Sequence, residues 1–120
     1  MSHERTEQRR REILNVRLGE IEIDGAQERV LVAGKPIALR PKEYRLLVEL
    51  CSQIGRAVPR ERLLQRVWGT HYTGRPSTVA IHVSRLRAKL GPGLLLETVR
   101  RWGYRLRMPG ATLRDPEAPG

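Results

Sequence analysis

The side chains of this 120-residue chain that could ligate a metal or perform acid–base chemistry are few and scattered. Its histidines, His3, His71 and His82, lack the i, i+4 or cysteine spacing that a zinc site requires. The single cysteine, Cys51, falls on the apolar stripe of a helical pattern and reads as a packed thiol rather than a nucleophile. No Ser-His-Asp order, glycine-rich phosphate loop or paired carboxylates stand out. The sequence therefore predicts no metal, no cofactor and no catalytic site. Its chemistry lies instead in STVAIHVSRLRAKL, residues 77–90. At about 100° per residue, Val79, Val83, Leu86 and Leu90 gather on one side of a helix, the side expected to face the core. Ile81 centres the other side, with Ser77, Thr78, Ser84 and Arg85 around it. His82 and Lys89 flank it on one edge and Arg87 on the other.

That second face contains no acidic residue, where an ordinary surface helix mixes both signs. A helix of this length spans about 20 Å, a size that fits the major groove of DNA. The small residues let the backbone approach base edges. Ile81 suits a thymine methyl, and Arg85 can donate two hydrogen bonds to guanine. Ser77 and Thr78 sit where they could cap the helix and meet a phosphate. His82 suits a hydrogen bond to phosphate, with packing at the helix flank as the alternative.

The charge balance fits a polyanionic partner. The formal net charge is +10, from 23 basic and 13 acidic residues. Residues 16–39 carry a net of −1, whereas residues 75–107 set Arg75, Arg85, Arg87, Lys89, Arg100, Arg101, Arg105 and Arg107 against Glu97 alone. No apolar run approaches the roughly 20 residues of a membrane span, and the N-terminus lacks the apolar centre of a signal peptide. A cytoplasmic location is expected, and one cysteine fits a reducing compartment.

The elements that must position this helix are legible in outline. Residues 1–15 form a charged tail or linker, 16–107 one domain, and 108–120 a Pro/Gly-rich tail expected to be disordered. VRLG, EIEID, RVLVAG and PIAL read as a small antiparallel meander. PKEYRLLVELCSQ reads as a helix with Tyr44, Leu47, Val48 and Cys51 on one face. RERLLQRVW reads as a second helix, with Pro59 in its first turn and Leu63, Leu64, Val67 and Trp68 inward. Gly69–Arg75 reads as a loop. After the third helix, LLLETVRRWGYRLRM reads as a hairpin turning around Arg100–Gly103. Its tip places Arg100, Arg101 and Trp102 beyond the core as a basic ribbon, with arginine available to a minor groove. Trp102 folding back as a hydrophobic plug is the other reading. The expected fold class is α+β: a small N-terminal sheet, three helices and a C-terminal hairpin.

LRPKEYRLLVEL, RERLLQRVWG, STVAIHVSRLRAKLG and ETVRRWGYRL, in this order and spacing, resemble the OmpR/PhoB-type winged-helix effector domain of bacterial response regulators. The resemblance covers residues 16–107. It implies a sequence-specific, double-stranded-DNA-binding transcription regulator of a phosphorelay, associated with the bacterial nucleoid. It implies base contacts at Ile81 and Arg85, and contacts to the DNA backbone or bases at Thr78, His82, Ser84 and Arg87. Wing contacts fall at Thr98 and Arg100, and an RNA-polymerase-contacting loop at Gly69, Thr70, His71, Tyr72, Thr73 and Gly74. Head-to-tail pairing of two copies on direct repeats is implied as well. The chain departs from the family at three positions: Ala80 replaces an acidic residue, Ser77 an arginine, and Arg101 the wing glycine. No receiver domain with a phosphorylatable aspartate is present, and a stand-alone protein is expected over an excised domain. The alternative function is a protein-interaction module that docks on RNA polymerase or another regulator, with DNA binding weak or non-specific.

Overall fold

The computed structural model of the protein describes residues 15–110. Of the expected tails, 1–15 and 108–120, residues 1–14 and 111–120 lie outside the described residues. Alternation drives the N-terminal third into a meander. Strands β1 (Asn15–Leu18), β2 (Ile21–Asp24), β3 (Arg29–Val32) and β4 (Lys35–Ile37) pair antiparallel in chain order. Leu18 pairs with Ile21 and Ile23 with Val30, and these four side chains make the buried face. On the wet face Arg17 pairs with Glu22 and Asp24 with Arg29, each as a cross-strand ion pair.

Helix α1 (Pro41–Ser52) starts where proline costs no hydrogen bond. Glu43 turns back to accept the Arg40 N–H at 2.9 Å, one half of a capping box. The buried stripe is broader than the expected face. Leu46 and Leu50 are fully buried beside Tyr44, Leu47 and Cys51, whereas Val48 is only partly buried. Burial pushes the Cys51 thiol up to about 12, as suits a packed rather than a reactive cysteine.

Between α1 and the next helix the chain forms a strand that periodicity does not reveal, β5 (Ala57–Pro59). Pro59 therefore ends a strand and occupies the N-cap of α2 (Arg60–Trp68), rather than the helix's first turn as expected. Leu63 and Val67 of α2 are buried, and Leu64 and Trp68 pack at the edge of the core. Helix α3 (Thr78–Leu90) follows a loop, and its C-cap Gly91 has the positive φ of 78° that favours glycine. Val79, Val83, Leu86 and Leu90 all enter the core, as their spacing predicts.

Strands β6 (Leu96–Val99) and β7 (Gly103–Leu106) form the C-terminal hairpin, and β7 also pairs with β5. Gly103 belongs to β7, so the turn is Arg100–Trp102, one residue tighter than expected. Only glycine fits at 103, because a Cβ there would lie 1.9 Å from the Val58 carbonyl oxygen. Through β5 the hairpin is stitched to the start of α2, and α1 packs against both α2 and α3. The third helix and the hairpin are thus held in one frame.

Candidate nucleic-acid interface

The outward face of α3 is built as the pattern predicts. Ile81 is 48% exposed, large for an isoleucine, and Ser77, Ala80, Ser84 and Arg85 beside it are exposed. The face carries no carboxylate. Desolvating an exposed isoleucine and an unpaired arginine costs little when a partner offers a methyl group and hydrogen-bond acceptors. Ser77 is the N-cap residue, but neither it nor Thr78 caps the helix through its side chain. The Thr78 hydroxyl instead stands 3.5 Å from His82 Nδ1.

His82 is half-buried, with its ring packed edge-on against Trp68 at 4.8 Å between centroids. Its Nδ1 lies 2.8 Å from the Thr78 carbonyl oxygen and so donates a proton to it. Nε2 is the ring's remaining polar atom, so donation to a phosphate requires the imidazolium form. The Trp68–His82 contact joins α2 to α3 and had no local signal in the sequence.

Two cations placed on the backbone-contacting flanks have internal partners instead. Lys89 Nζ sits 2.6 Å from Glu43 Oε1, a carboxylate with no exposed surface. Arg87 donates through Nε and Nη2 to the Leu96 carbonyl at 3.1 and 2.9 Å, and through Nη2 to the Thr98 hydroxyl at 3.1 Å. Lys89 therefore pins α3 to α1, and Arg87 ties α3 to the first strand of the hairpin. Both are correctly placed on α3 by the sequence, but their charges are engaged within the fold. Thr98 remains exposed while accepting from Arg87.

The hairpin tip projects. Trp102 is 56% exposed, which excludes the plug reading. Its N–H closes the turn on the Val99 carbonyl at 2.9 Å. Arg101 takes φ 64°, so the turn keeps the left-handed geometry that suits glycine although an arginine stands there. Arg100 and Arg101 are exposed and have no acidic partner among the described residues. In the loop before α3, Tyr72 leans on Trp68 at 6.4 Å between ring centroids, while Gly69, Thr70, His71, Thr73 and Gly74 are exposed. Among the described residues no group of three or more His, Cys, Asp or Glu could hold a metal ion, and no helix is long and apolar enough to cross a membrane.

A helix-turn-helix whose second helix presents an acid-free face, beside a basic hairpin, defines the winged-helix class. The comparisons with known proteins agree. Residues 34–106 match the family model "Transcriptional regulatory protein, C terminal". The chain belongs to this family, the OmpR/PhoB-type winged-helix domain of DNA-binding transcription regulators. It is 44% identical over 89 residues to the transcriptional regulatory protein CseB of Streptomyces avermitilis, an alignment covering 74% of this chain and 37% of CseB. Among solved structures it resembles the DNA-binding domain of Klebsiella pneumoniae RstA, determined in complex with the RstA box. That match has TM-score 0.69 and 30% identity, covering 78% of this chain and 97% of the other. The DNA-binding domain of CpxR from E. coli matches with TM-score 0.67 and 25% identity, covering 78% and 95%.

Proposed function

We propose that this domain binds double-stranded DNA at specific sequences and serves as the effector part of a bacterial transcription regulator. The observation that carries the reading is the outward face of α3. Ile81 and Arg85 stand exposed among small side chains, with no carboxylate to repel phosphate. In this reading α3 lies in the major groove. Arg85 reads a guanine, Ile81 packs on a thymine methyl, and Ser77, Thr78 and Ser84 approach the backbone. His82 reaches phosphate when protonated. Arg100 or Arg101 enters the adjacent minor groove, where the negative potential of a narrow groove favours arginine. Arg87 and Lys89 support this arrangement mainly by fixing α3 and the wing.

The exposed loop Gly69–Gly74 is the proposed RNA polymerase contact, and two copies pair head-to-tail on direct repeats. The site of action is the cytoplasm, at the nucleoid. Selection from a random duplex pool at about 150 mM salt tests the reading. We expect an enriched motif, and Arg85→Ala to lower affinity by about 1–3 kcal/mol while relaxing preference at one guanine. Loss that is equal on all sequences would make Arg85 a phosphate contact. An absence of enrichment, with binding that vanishes as salt rises, would leave protein docking as the function.

A further inference from the structure

A groove of about 730 Å³ opens between the hairpin tip and the first turns of α2 and α3. Pro59, Leu64 and Ala80 give it an apolar lining, and the exposed indole of Trp102 forms part of its wall. The Arg60 N–H donates to the Trp102 carbonyl at 3.3 Å, which holds the hairpin tip against the start of α2. Arg60 and Arg101 also line the groove, and Glu61 is its acidic member. Two cations face one carboxylate, so the rim is net positive.

The position of this groove limits what can fill it. If α3 occupies a major groove and the wing the adjacent minor groove, the strand that separates those grooves must pass between the two elements. The space between them is this groove. A sugar–phosphate strand has the matching chemistry: deoxyribose rings present apolar C–H faces, and each ring is flanked by phosphates. We propose that the groove seats this strand, with the Trp102 indole packed on deoxyribose and Arg60 and Arg101 neutralising the phosphates on either side. The inference rests on the DNA-binding reading and adds a contact that reading did not contain. Ala80 assists by its size and its neutrality. A carboxylate at this position would add a second negative charge to a surface meant for phosphate. A sugar carries no base identity, so Trp102 contributes affinity and register without sequence preference.

The test compares wild type, Trp102→Ala and Trp102→Phe on the selected operator and on a scrambled duplex of equal length. Trp102 is exposed, so neither change disturbs the core. Trp102→Ala should weaken binding about tenfold on both duplexes, as loss of a large buried apolar contact predicts, while Trp102→Phe should retain most of the affinity. Acrylamide quenching supplies an independent readout. DNA should shield an emission component that wild type has and Trp102→Phe lacks. If Trp102→Ala binds like wild type while Arg85→Ala still blurs the motif, the groove stays empty and this inference alone fails. A loss confined to the operator would make Trp102 a sequence-reading wedge and overturn the sugar contact. Shielding that depends on protein concentration without DNA would assign the groove to a second copy of the chain. Failure of wild type to bind any duplex would remove both the inference and the reading beneath it.

Discussion

Removing the Lys89 ammonium tests how α3 is held. Glu43 has no exposed surface. Its Oε1 accepts from Lys89 Nζ at 2.6 Å and from the Arg40 N–H at 2.9 Å, while Oε2 is buried with no hydrogen-bond partner among the described residues. Burial pushes this carboxyl up. The Lys89 hydrogen bond, the Arg40 N–H and the charges of Lys89 and Arg40 outweigh that effect and hold it below the ordinary 4.5. Lys89→Met keeps the aliphatic stem and leaves the carboxylate buried without its cation. Breaking a buried pair from one side costs about 3–5 kcal/mol. Lys89 is 32% exposed, so water can reach part of the gap, and the lower end, about 3 kcal/mol, is expected.

The pH dependence gives the sign. In wild type the folded pKa is depressed, so Glu43 contributes stability above its unfolded value and loses it as pH falls through the folded pKa. Without Lys89 two of the lowering causes go while burial and the Arg40 N–H remain, so the folded pKa moves up from its wild-type position. The variant's penalty is then absent in acid and grows as pH rises through that higher value. Urea unfolding of both proteins should show a deficit of about 3 kcal/mol at neutral pH that narrows markedly by about pH 4. Adding Glu43→Gln to the variant should recover part of the loss, with the interaction energy read from the double-mutant cycle. A deficit below about 1 kcal/mol, the value of a surface pair, or one unchanged between the two pH values, would refute the argument.

Three further outcomes are expected. Cys51, its thiol pushed up to about 12 by burial, should resist a disulfide reagent in the native state at about pH 8 and react promptly in urea; rapid native labelling would contradict its packing. Arg101→Gly relieves a φ of 64° and should stabilise the domain by about 1 kcal/mol, while reducing the salt slope of DNA binding by about one unit. An unchanged melting temperature would mean that the turn carries no strain. Gly103→Ala drives a Cβ to within 1.9 Å of the Val58 carbonyl oxygen, and should cost about 3 kcal/mol by parting β5 from β7. A loss under about 1 kcal/mol in urea titration would show that the strands can shift apart cheaply.

Local patterns carried most of the architecture. Ile21 and Ile23 alternate with Glu20, Glu22 and Asp24, and the strand follows from period two. Val79, Val83, Leu86 and Leu90 define the buried side of α3 by period 3.6, which leaves Ile81 and Arg85 outward. The features not foreseen depend on residues distant in sequence. Strand β5 has only three residues, and its partner β7 lies across two helices, as in the pairing of Val58 with Tyr104. Its own residues show no alternation long enough to detect. Glu43 in PKEY looks like a surface acid, and its cation stands 46 positions later. One local clue existed, since a glutamate two residues after the helix-opening Pro41 is suited to turn back on the N-cap N–H. The edge-on Trp68–His82 contact likewise needs α2 and α3 to be docked before the two rings can meet.

The same distinction changes the meaning of the charge count. Residues 75–107 contain eight basic side chains and one acid, which suggests a uniformly positive surface. In the fold, Arg105 and Arg107 converge on Glu97, each at 3.0 Å, Lys89 is bound to Glu43, and Arg87 to the Leu96 carbonyl and Thr98. Arg75, Arg85, Arg100 and Arg101 are exposed and have no carboxylate partner among the described residues, and Arg87, which also lacks one, is held by oxygens of β6. The displayed charge is therefore smaller than the count and is concentrated at the loop before α3, its outer face and the wing tip. The engaged cations set the geometry that aims the others: Lys89 holds α3 on α1, and Arg87 sets the wing against α3. Under the proposed reading, replacing Arg85 should remove a reader, whereas replacing Arg87 or Lys89 should move the readers. The two kinds of loss should differ in solution: the first is expected to alter sequence preference at unchanged stability, and the second to lower stability before it alters binding.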